Sequence, residues 1–360
     1  MVYIHIPFCK SFCTYCDFYS EICSGKGSNE VQNLFCDRLC AEMDERRSEI
    51  AAASVPRTLY FGGGTPSVLP AEMLERITRA LGPGPYDEFT VEVNPEDIVE
   101  KGPDYVRRLL DMGVNRVSMG VQSLDDTILR WMNRRHDAAR AVEAFRILRE
   151  AGVKNISMDL IFGLSQLSAA QLGATLDGFL ELGPEHVSAY QLSIEEGSAL
   201  ARMVEDGRYV EASEELCREQ YSRICDTLRS AGYLHYEVSN WALPGCEAVH
   251  NSAYWSRRPY VGLGPGAHSF DGAVRRWNSD SLSGWTPSSE RLTPEDTAVE
   301  TVMLGLRTSR GLDPAELRAN CSQEALGRLL ESGSIVEEDG RFRIPEDHFF
   351  VSDDIIRQLV

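Results

Sequence analysis

Short runs of β-branched and aromatic residues alternate with helical patterns over the first two hundred residues of this 360-residue chain. The predicted strands are residues 2–8, 58–61, 89–93, 116–121, 156–162 and 187–194. Between them lie predicted helices at residues 71–81, 103–112, 138–151 and 169–182, each with a glycine directly or shortly after it. Because parallel strands need long crossover connections, this order predicts an α/β fold with a mostly parallel sheet, either open or curled into a barrel.

The unusual residues of this region follow the predicted strands. Cys9 comes after the first strand, the glycine triplet 62–64 after the second, Asn94 after the third, Gln122 after the fourth and Gly163 after the fifth. Ligands of such sheets bind at the carboxyl ends of the strands. We therefore expect one rim of the sheet to gather most of the candidate site residues.

The pattern changes twice further along the chain. A long helix at residues 211–230 precedes an irregular stretch rich in glycine, proline and aromatics, part of which we expect to cover the rim. Helices at 294–306, 313–319 and 323–332 then precede a hairpin turning at Asp339 and Gly340, which is typical of a small winged-helix-like unit. The predicted domains are a barrel at 1–200, a covering extension at 201–290 and a C-terminal domain at 291–360.

Composition narrows the functional classes. A formal net charge of −19 opposes a general role on nucleic acid, whose phosphates need basic surface. The sequence has no apolar stretch of the roughly 20 residues that span a bilayer, and no signal-peptide pattern, so we expect a cytoplasmic protein. In that compartment ten cysteines favour metal ligands and buried thiols over disulfides.

Three of these cysteines, Cys9, Cys13 and Cys16, lie within eight residues directly after the first strand. Thiolates suit iron-sulfur clusters, and three ligands would leave one iron of a [4Fe-4S] cluster open to a small chelating molecule. Zinc completed by a distant fourth ligand is the alternative. The Gly-Gly-Gly-Thr-Pro sequence at 62–66 lets backbone approach a ligand closely, although a glycine triplet alone can equally be a tight turn.

The Cys-x3-Cys-x2-Cys spacing, with an aromatic residue before the last cysteine, resembles the signature of the radical S-adenosylmethionine superfamily. That resemblance implies a partial (β/α)6 barrel, with S-adenosylmethionine chelated by the open iron of the cluster. It narrows to the family containing oxygen-independent coproporphyrinogen III oxidases and the heme chaperone HemW. The supporting motifs are Tyr-Ile-His-Ile-Pro-Phe-Cys at 3–9, Glu-Val-Asn-Pro at 92–95, Met-Gly-Val-Gln-Ser at 119–123, Asn-Arg at 133–134 and Asp-Leu-Ile-Phe-Gly at 159–163.

Carried over position by position, the resemblance implies a set of residues around S-adenosylmethionine. They are Tyr3, Gly63, Gly64, Thr65, Glu92, Gln122, Arg134 and Asp159. Carboxylates can accept hydrogen bonds from ribose hydroxyls or an ammonium group, and Arg134 can pair with the carboxylate of the cofactor. Without the resemblance, Glu92 and Asp159 would be interpreted as helix caps or surface charges.

Within the family, three features favour the chaperone over the oxidase. Phe18 stands where the oxidases carry a further cysteine, and the chain begins two residues before Tyr3, without the oxidases' N-terminal extension. The third is His-Asn-Ser-Ala-Tyr-Trp at 250–255, which matches the His-Asn-x-x-Tyr-Trp motif associated with the chaperone. His250 is the predicted heme ligand and His268 a second candidate. Alone, such a His and aromatic pair is typical of packed core.

The leading hypothesis is a chaperone that binds heme, a [4Fe-4S] cluster and S-adenosylmethionine and delivers heme to acceptor proteins. The alternative is an oxidase that converts coproporphyrinogen III to protoporphyrinogen IX by oxidative decarboxylation. A homodimer linked through shared heme is a further expectation, and a zinc-stabilised binding module is the third reading.

Overall fold

The computed structural model describes residues 1–25, 27–53 and 55–360. The strands are β1 (Val2–Ile6), β2 (Phe8–Cys9), β3 (Glu21–Ile22), β4 (Thr58–Gly63), β5 (Glu88–Val93), β6 (Arg116–Gln122), β7 (Ile156–Phe162), β8 (His186–Gln191), β9 (Leu234–Glu237), β10 (Asn240–Ala242), β11 (Val261–Leu263), β12 (His268–Phe270), β13 (Val274–Asn278), β14 (Pro287–Arg291), β15 (Val336–Glu338) and β16 (Arg341–Arg343).

The helices are α1 (Ser28–Glu45), α2 (Arg47–Ala52), α3 (Ala71–Leu81), α4 (Pro95–Asp111), α5 (Asp126–Trp131), α6 (Ala138–Ala151), α7 (Ala169–Leu182), α8 (Ala199–Glu205), α9 (Glu214–Ser230), α10 (Val249–Trp255), α11 (Pro294–Leu306), α12 (Pro314–Ala319), α13 (Gln323–Glu331) and α14 (Ser352–Arg357). Short 3-10 helices occupy Pro66–Val68 and Glu346–Val351.

The predicted α/β fold is confirmed. Strands β1, β4, β5, β6, β7 and β8 pair in that order, all parallel, and helices connect each to the next. The parallel arrangement requires cover on both faces, and the strands accordingly bury nearly every residue. Strand β11 extends one edge and the antiparallel strands β10 and β9 extend the other, so the sheet is an open partial barrel.

The predicted extension at 201–290 contributes to this sheet. Strands β9, β10 and β11 all come from it, so the sheet pairing crosses the predicted boundary at residue 200. Strands β12, β13 and β14 form a separate antiparallel sheet. The division into three domains stays a prediction.

The C-terminal segment contains the predicted helices and hairpin. Helices α11, α12 and α13 precede the antiparallel pair β15 and β16, whose turn lies at Asp339 and Gly340. Leu312 and Phe342 exchange two backbone hydrogen bonds of 2.8 Å, which attach the hairpin to the loop after α11. This arrangement confirms the predicted helix-plus-wing pattern.

Helix α1 was absent from the predicted elements. Its sequence is polar, and its buried face consists mainly of Phe35, Leu39 and Met43 at four-residue spacing, together with Cys36. Because this apolar face is narrow, the sequence of α1 shows only a weak helical periodicity of hydrophobic residues. Across the described residues, neither α1 nor any other helix combines the length and apolar character needed to cross a membrane.

Candidate functional site

The three predicted cluster ligands lie on one short segment at the carboxyl ends of the strands, Cys9 at the end of β2 and the other two in the loop that follows. Cys9, Cys13 and Cys16 are free, half-buried thiols that line a single cavity of about 560 Å³, here named the rim cavity. The Sγ atom of Cys9 lies 3.4 Å from Oγ1 of Thr65, and Nη1 of Arg134 donates to Sγ of Cys13 at 3.2 Å. The loop therefore presents all three thiols to one space.

Hydrogen bonds to the end of α5 and to the residues that follow it hold this loop in place. The N–H of Thr14 donates to the carbonyl of Met132 at 3.1 Å, and its hydroxyl donates to the carbonyl of Trp131 at 2.9 Å. The side-chain amide of Asn133 donates to the carbonyl of Phe12 at 2.7 Å. The cysteine positions are thus built into the fold before any metal binds.

The chemistry of this donor set fits an iron-sulfur cluster. Among the described lining residues of the rim cavity there is no fourth cysteine and no histidine, so the thiols cannot close a usual zinc site by themselves. Burial raises the pKa of the Cys16 thiol to about 11 and also raises that of Cys9. Because a metal binds the thiolate, loading the site must release protons.

The glycine triplet is required by close backbone packing. A Cβ atom on Gly64 would lie 2.9 Å from the carbonyl of Ile6 and from the backbone of Phe8. Gly63 has φ +107°, and a Cβ atom there would lie 2.6 Å from the ring of His5. Only glycine therefore lets the end of β4 reach the strand that leads into the cysteine loop.

Glu92 is the carboxylate of the rim cavity nearest the glycine triplet. Its Oε2 accepts the N–H of Gly63 at 3.2 Å, and its Oε1 accepts the hydroxyl of Tyr60 at 2.8 Å. Burial raises the pKa of this carboxyl to about 7. A buried carboxyl of this kind favours a ligand that brings positive charge or hydrogen-bond donors.

The rim cavity also carries Asp159, Gln122 and Arg134. Burial raises the pKa of Asp159 to about 6, and Ser118 donates its hydroxyl to this carboxyl at 3.3 Å. Gln122 has φ +70°, and its buried Oε1 lacks a hydrogen-bond partner among the described residues, as does Nε of Arg134. Unpaired buried polar atoms are costly, so their presence in a cavity indicates a polar ligand.

The rim cavity gathers most of the predicted cofactor residues. Its lining includes Gly63, Gly64, Thr65, Glu92, Gln122, Arg134 and Asp159. Tyr3 is not among its lining residues: its hydroxyl bonds Nδ1 of His5 at 3.2 Å, and its ring lies 6.0 Å from that of Tyr60. Sequence reasoning missed Ser118 and Tyr190, although strand alternation and the end of β8 point to both.

Two exposed aromatic side chains flank the cysteines at the cavity mouth. Phe12 is 52% exposed and Phe18 is 66% exposed, and both line the rim cavity. Phe18 occupies the position at which the sequence departs from the oxidase pattern. The mouth of the site is therefore apolar on the side of the cysteine loop.

His250 lies at the other end of the barrel, in helix α10. Its Nδ1 bonds the hydroxyl of Thr58, the first residue of β4, at 2.7 Å, and its Nε2 bonds the hydroxyl of Tyr254 at 2.8 Å. The ring is 1% exposed, and burial lowers its pKa to about 3. As a heme ligand His250 stays a prediction, but in this conformation neither ring nitrogen is available to iron.

The second candidate, His268, is exposed at the start of β12. Its ring stacks against that of Trp277 with the ring centres 6.2 Å apart. It does not line the rim cavity. The two candidate heme ligands and the three cysteines are therefore in different surroundings.

Comparison with known proteins gives the context for this site. Residues 3–179 match the model of the Radical SAM superfamily. The chain is 33% identical over 338 residues to the heme chaperone HemW of Lactococcus lactis, covering 90% of this chain and 86% of the relative. It is 32% identical over 373 residues to the heme chaperone HemW of Mycobacterium tuberculosis, covering 100% and 94%.

A solved structure shows the same fold. Coproporphyrinogen III oxidase (HemN) from Escherichia coli superposes with a TM-score of 0.77 over 99% of this chain and 89% of that chain, at 20% sequence identity. Identity at that level establishes the architecture of the partial barrel and no more. The extent and identity of the HemW alignments are decisive: the chain is a radical SAM protein and belongs to the heme chaperone HemW family.

Proposed function

We propose that this protein is a heme chaperone that binds heme and passes it to acceptor proteins. The observation that carries the proposal is the 32–33% identity to HemW proteins over nearly the whole of both chains. Phe18 at the mouth of the rim cavity, in place of a further cysteine, agrees with it. A cytoplasmic location and a heme-linked homodimer stay predictions.

In this proposal Cys9, Cys13 and Cys16 hold a [4Fe-4S] cluster with one open iron, and the remaining rim cavity takes S-adenosylmethionine. When bound, these groups supply one-electron chemistry that protein side chains lack. Arg134 offers a fixed cation to a carboxylate, while Glu92 and Asp159 accept hydrogen bonds from an ammonium group or hydroxyls.

Anaerobic reconstitution followed by heme titration tests the proposal. Protein with three cysteine ligands should acquire iron, sulfide and broad visible absorption, and added heme should produce a saturable Soret shift. A reconstituted protein that leaves the Soret band of heme unchanged would refute the chaperone function. Bound zinc without visible absorption would instead support a zinc module.

The alternative function is oxidation of coproporphyrinogen III, favoured only by the shared fold with HemN. Anaerobic incubation of the loaded protein with that substrate, S-adenosylmethionine and a reductant separates the two functions. We expect no protoporphyrinogen above the level given by a Cys13→Ala variant. Product formed at a turnover well above that control would establish the oxidase.

A further inference from the structure

A second cavity, of about 530 Å³, lies at the amino ends of the strands and shares no lining residue with the rim cavity. Its walls come from the end of α10 and the following loop, the loop after α11, helix α12 and the hairpin strand β16. Tyr236 also lines it and bonds Nε2 of His186, the first residue of β8, at 2.8 Å. We name this space the arginine cavity after its lining residues Arg258, Arg310 and Arg341.

Among the described residues, these three arginines have no acidic partner within ion-pair distance. In the part of the chain that the structure describes, neither Arg258 nor Arg310 forms an ion pair, and both are exposed at the cavity. Arg341 is half-buried and is fixed by donating to the carbonyls of Arg310 at 2.9 Å and Gly311 at 2.8 Å.

The three unpaired arginines lie in an acidic protein. The chain carries 55 acidic and 36 basic residues, so this cluster of cations is opposite in sign to the overall charge. Arg257, which also lines the cavity, pairs with Glu300 at 3.1 Å. Two lining carboxylates, Glu247 and Glu316, pair with none of the three unpartnered arginines. The cavity thus keeps an excess of guanidinium groups that are ready to receive an anion.

The lining also contains several hydroxyl side chains and a few apolar ones. The apolar part consists of Trp255, the last residue of α10, together with Pro259 and Leu312. Gly311 has φ +62°, and a Cβ atom there would lie 2.1 Å from the carbonyl of Phe342. This glycine therefore fixes the arginine-bearing loop against the hairpin.

We propose that the arginine cavity binds a flat conjugated ring that carries carboxylate groups. Taken with the proposed function, on which this inference rests, that ligand is heme, with Trp255 against the ring and the arginines on the two propionates. Bidentate guanidinium contacts suit carboxylates, and an indole ring suits a porphyrin face. No histidine is present in the described lining. Heme in this cavity is therefore held through its propionates and not through an imidazole bond to its iron, which suits a ligand that must later be released.

The test is a heme titration of cluster-reconstituted, full-length protein followed in the Soret band. The double variant R258Q/R310Q should bind heme at least tenfold more weakly than wild type, because two guanidinium contacts are lost. The matched control R328Q/R357Q removes the same charge from α13 and α14, outside both cavities, and should bind as wild type. Heme dimethyl ester, which lacks the carboxylate charges, should bind wild type as weakly as heme binds R258Q/R310Q.

The outcomes separate this site from the function itself. Wild-type affinity in R258Q/R310Q, or equal binding of heme and its dimethyl ester, overturns the arginine cavity while leaving heme binding intact. Equal losses in the two double variants show a nonspecific charge effect and also overturn it. If wild type gives no Soret change, the proposed function and this inference fail together. A Trp255→Ala variant that loses affinity, with Trp255→Phe retaining most of it, supports the ring contact.

Discussion

Tyr60 donates its hydroxyl to Oε1 of Glu92 across 2.8 Å, while its ring lies 5.1 Å from the imidazole of His250, measured between ring centres. One tyrosine thereby joins the rim cavity to helix α10 at the other end of the barrel. The contact gives His250 a structural role that its motif alone does not reveal.

The cysteine assignment predicts a sharp distinction among thiols. Alanine at Cys9, Cys13 or Cys16 should each abolish stable cluster loading, because two thiolates cannot hold the cluster against solvent. Iron and sulfide analysis after anaerobic reconstitution, with the visible spectrum, measures this. Cys40→Ala on α1 is the control and should load like wild type; loss of the cluster there, or its retention in Cys13→Ala, contradicts the assignment.

Arg134 should contribute strongly to S-adenosylmethionine affinity. Its side chain bonds Cys13 and the carbonyl of Gly120, which fixes the cation before ligand arrives. Arg134→Gln should weaken binding by about 2 kcal/mol, the size of a charge-assisted hydrogen bond. Equilibrium dialysis on reconstituted protein checks this, with Arg140→Gln, a partly exposed arginine outside the rim cavity, as control. Equal affinities of Arg134→Gln and wild type would remove Arg134 from the binding site.

Glu92 predicts a pH dependence of stability in the cofactor-free protein. Burial raises the pKa of its carboxyl to about 7, above the unfolded value of about 4.3. Its stabilising contribution is therefore complete below the unfolded pKa and is lost as pH rises toward 7. Wild type should lose about 2 kcal/mol relative to Glu92→Gln between pH 5 and pH 8.

Urea unfolding of both proteins at several pH values measures that difference. Asp159 titrates in both, so it largely cancels. The exposed Glu324→Gln variant should give a difference from wild type that hardly changes with pH. If the difference in unfolding free energy between wild type and Glu92→Gln is also independent of pH, the carboxyl of Glu92 is not held protonated in the fold.

His250 should matter for stability more than for heme. Removing the ring leaves the hydroxyls of Thr58 and Tyr254 without their partner and opens a space in the core. His250→Ala should lower the free energy of unfolding by about 3 kcal/mol, and His250→Gln should restore part of it. Heme titration of His250→Gln should give nearly wild-type affinity. A folded His250→Gln protein that no longer shifts the Soret band would instead support the prediction that His250 is a heme ligand.

Gly64 should be intolerant of a side chain. A Cβ atom would meet the backbone on both sides of the turn into the cysteine loop, which cannot move without displacing Cys9. Gly64→Ala should therefore reduce cluster loading severalfold, as measured by bound iron per chain. Gly327→Ala in α13 meets open space and should raise stability by about 0.5–1 kcal/mol without affecting iron. Normal loading in Gly64→Ala would mean the loop is looser than its contacts indicate.

Sequence reasoning succeeded where the determining pattern is local. Helices α3, α6 and α7 begin and end at the predicted residues because their apolar spacing and the glycine after each are read within one segment. The clustering of the three cysteines was likewise visible, since all three lie within a stretch of eight residues.

Sequence reasoning has no access to features that depend on the surroundings of a residue. A motif cannot show that both nitrogens of His250 are engaged, because Thr58 is 192 residues away in the chain. It cannot place Tyr3 either, whose neighbours come from different strands. In the sequence, the arginine cavity shows only the adjacent basic pair Arg257 and Arg258, because Arg310 and Arg341 lie in separate segments that the packing of the C-terminal hairpin brings close to them.

The two cavities open at opposite ends of a barrel whose strands are about 20 Å long, at roughly 3.3 Å for each of six residues. An electron donor that binds at the cysteine loop and a protein that accepts heme would therefore bind to different faces. The two partners would not compete for one surface, so both would be able to bind at the same time during reduction of the cluster and transfer of heme.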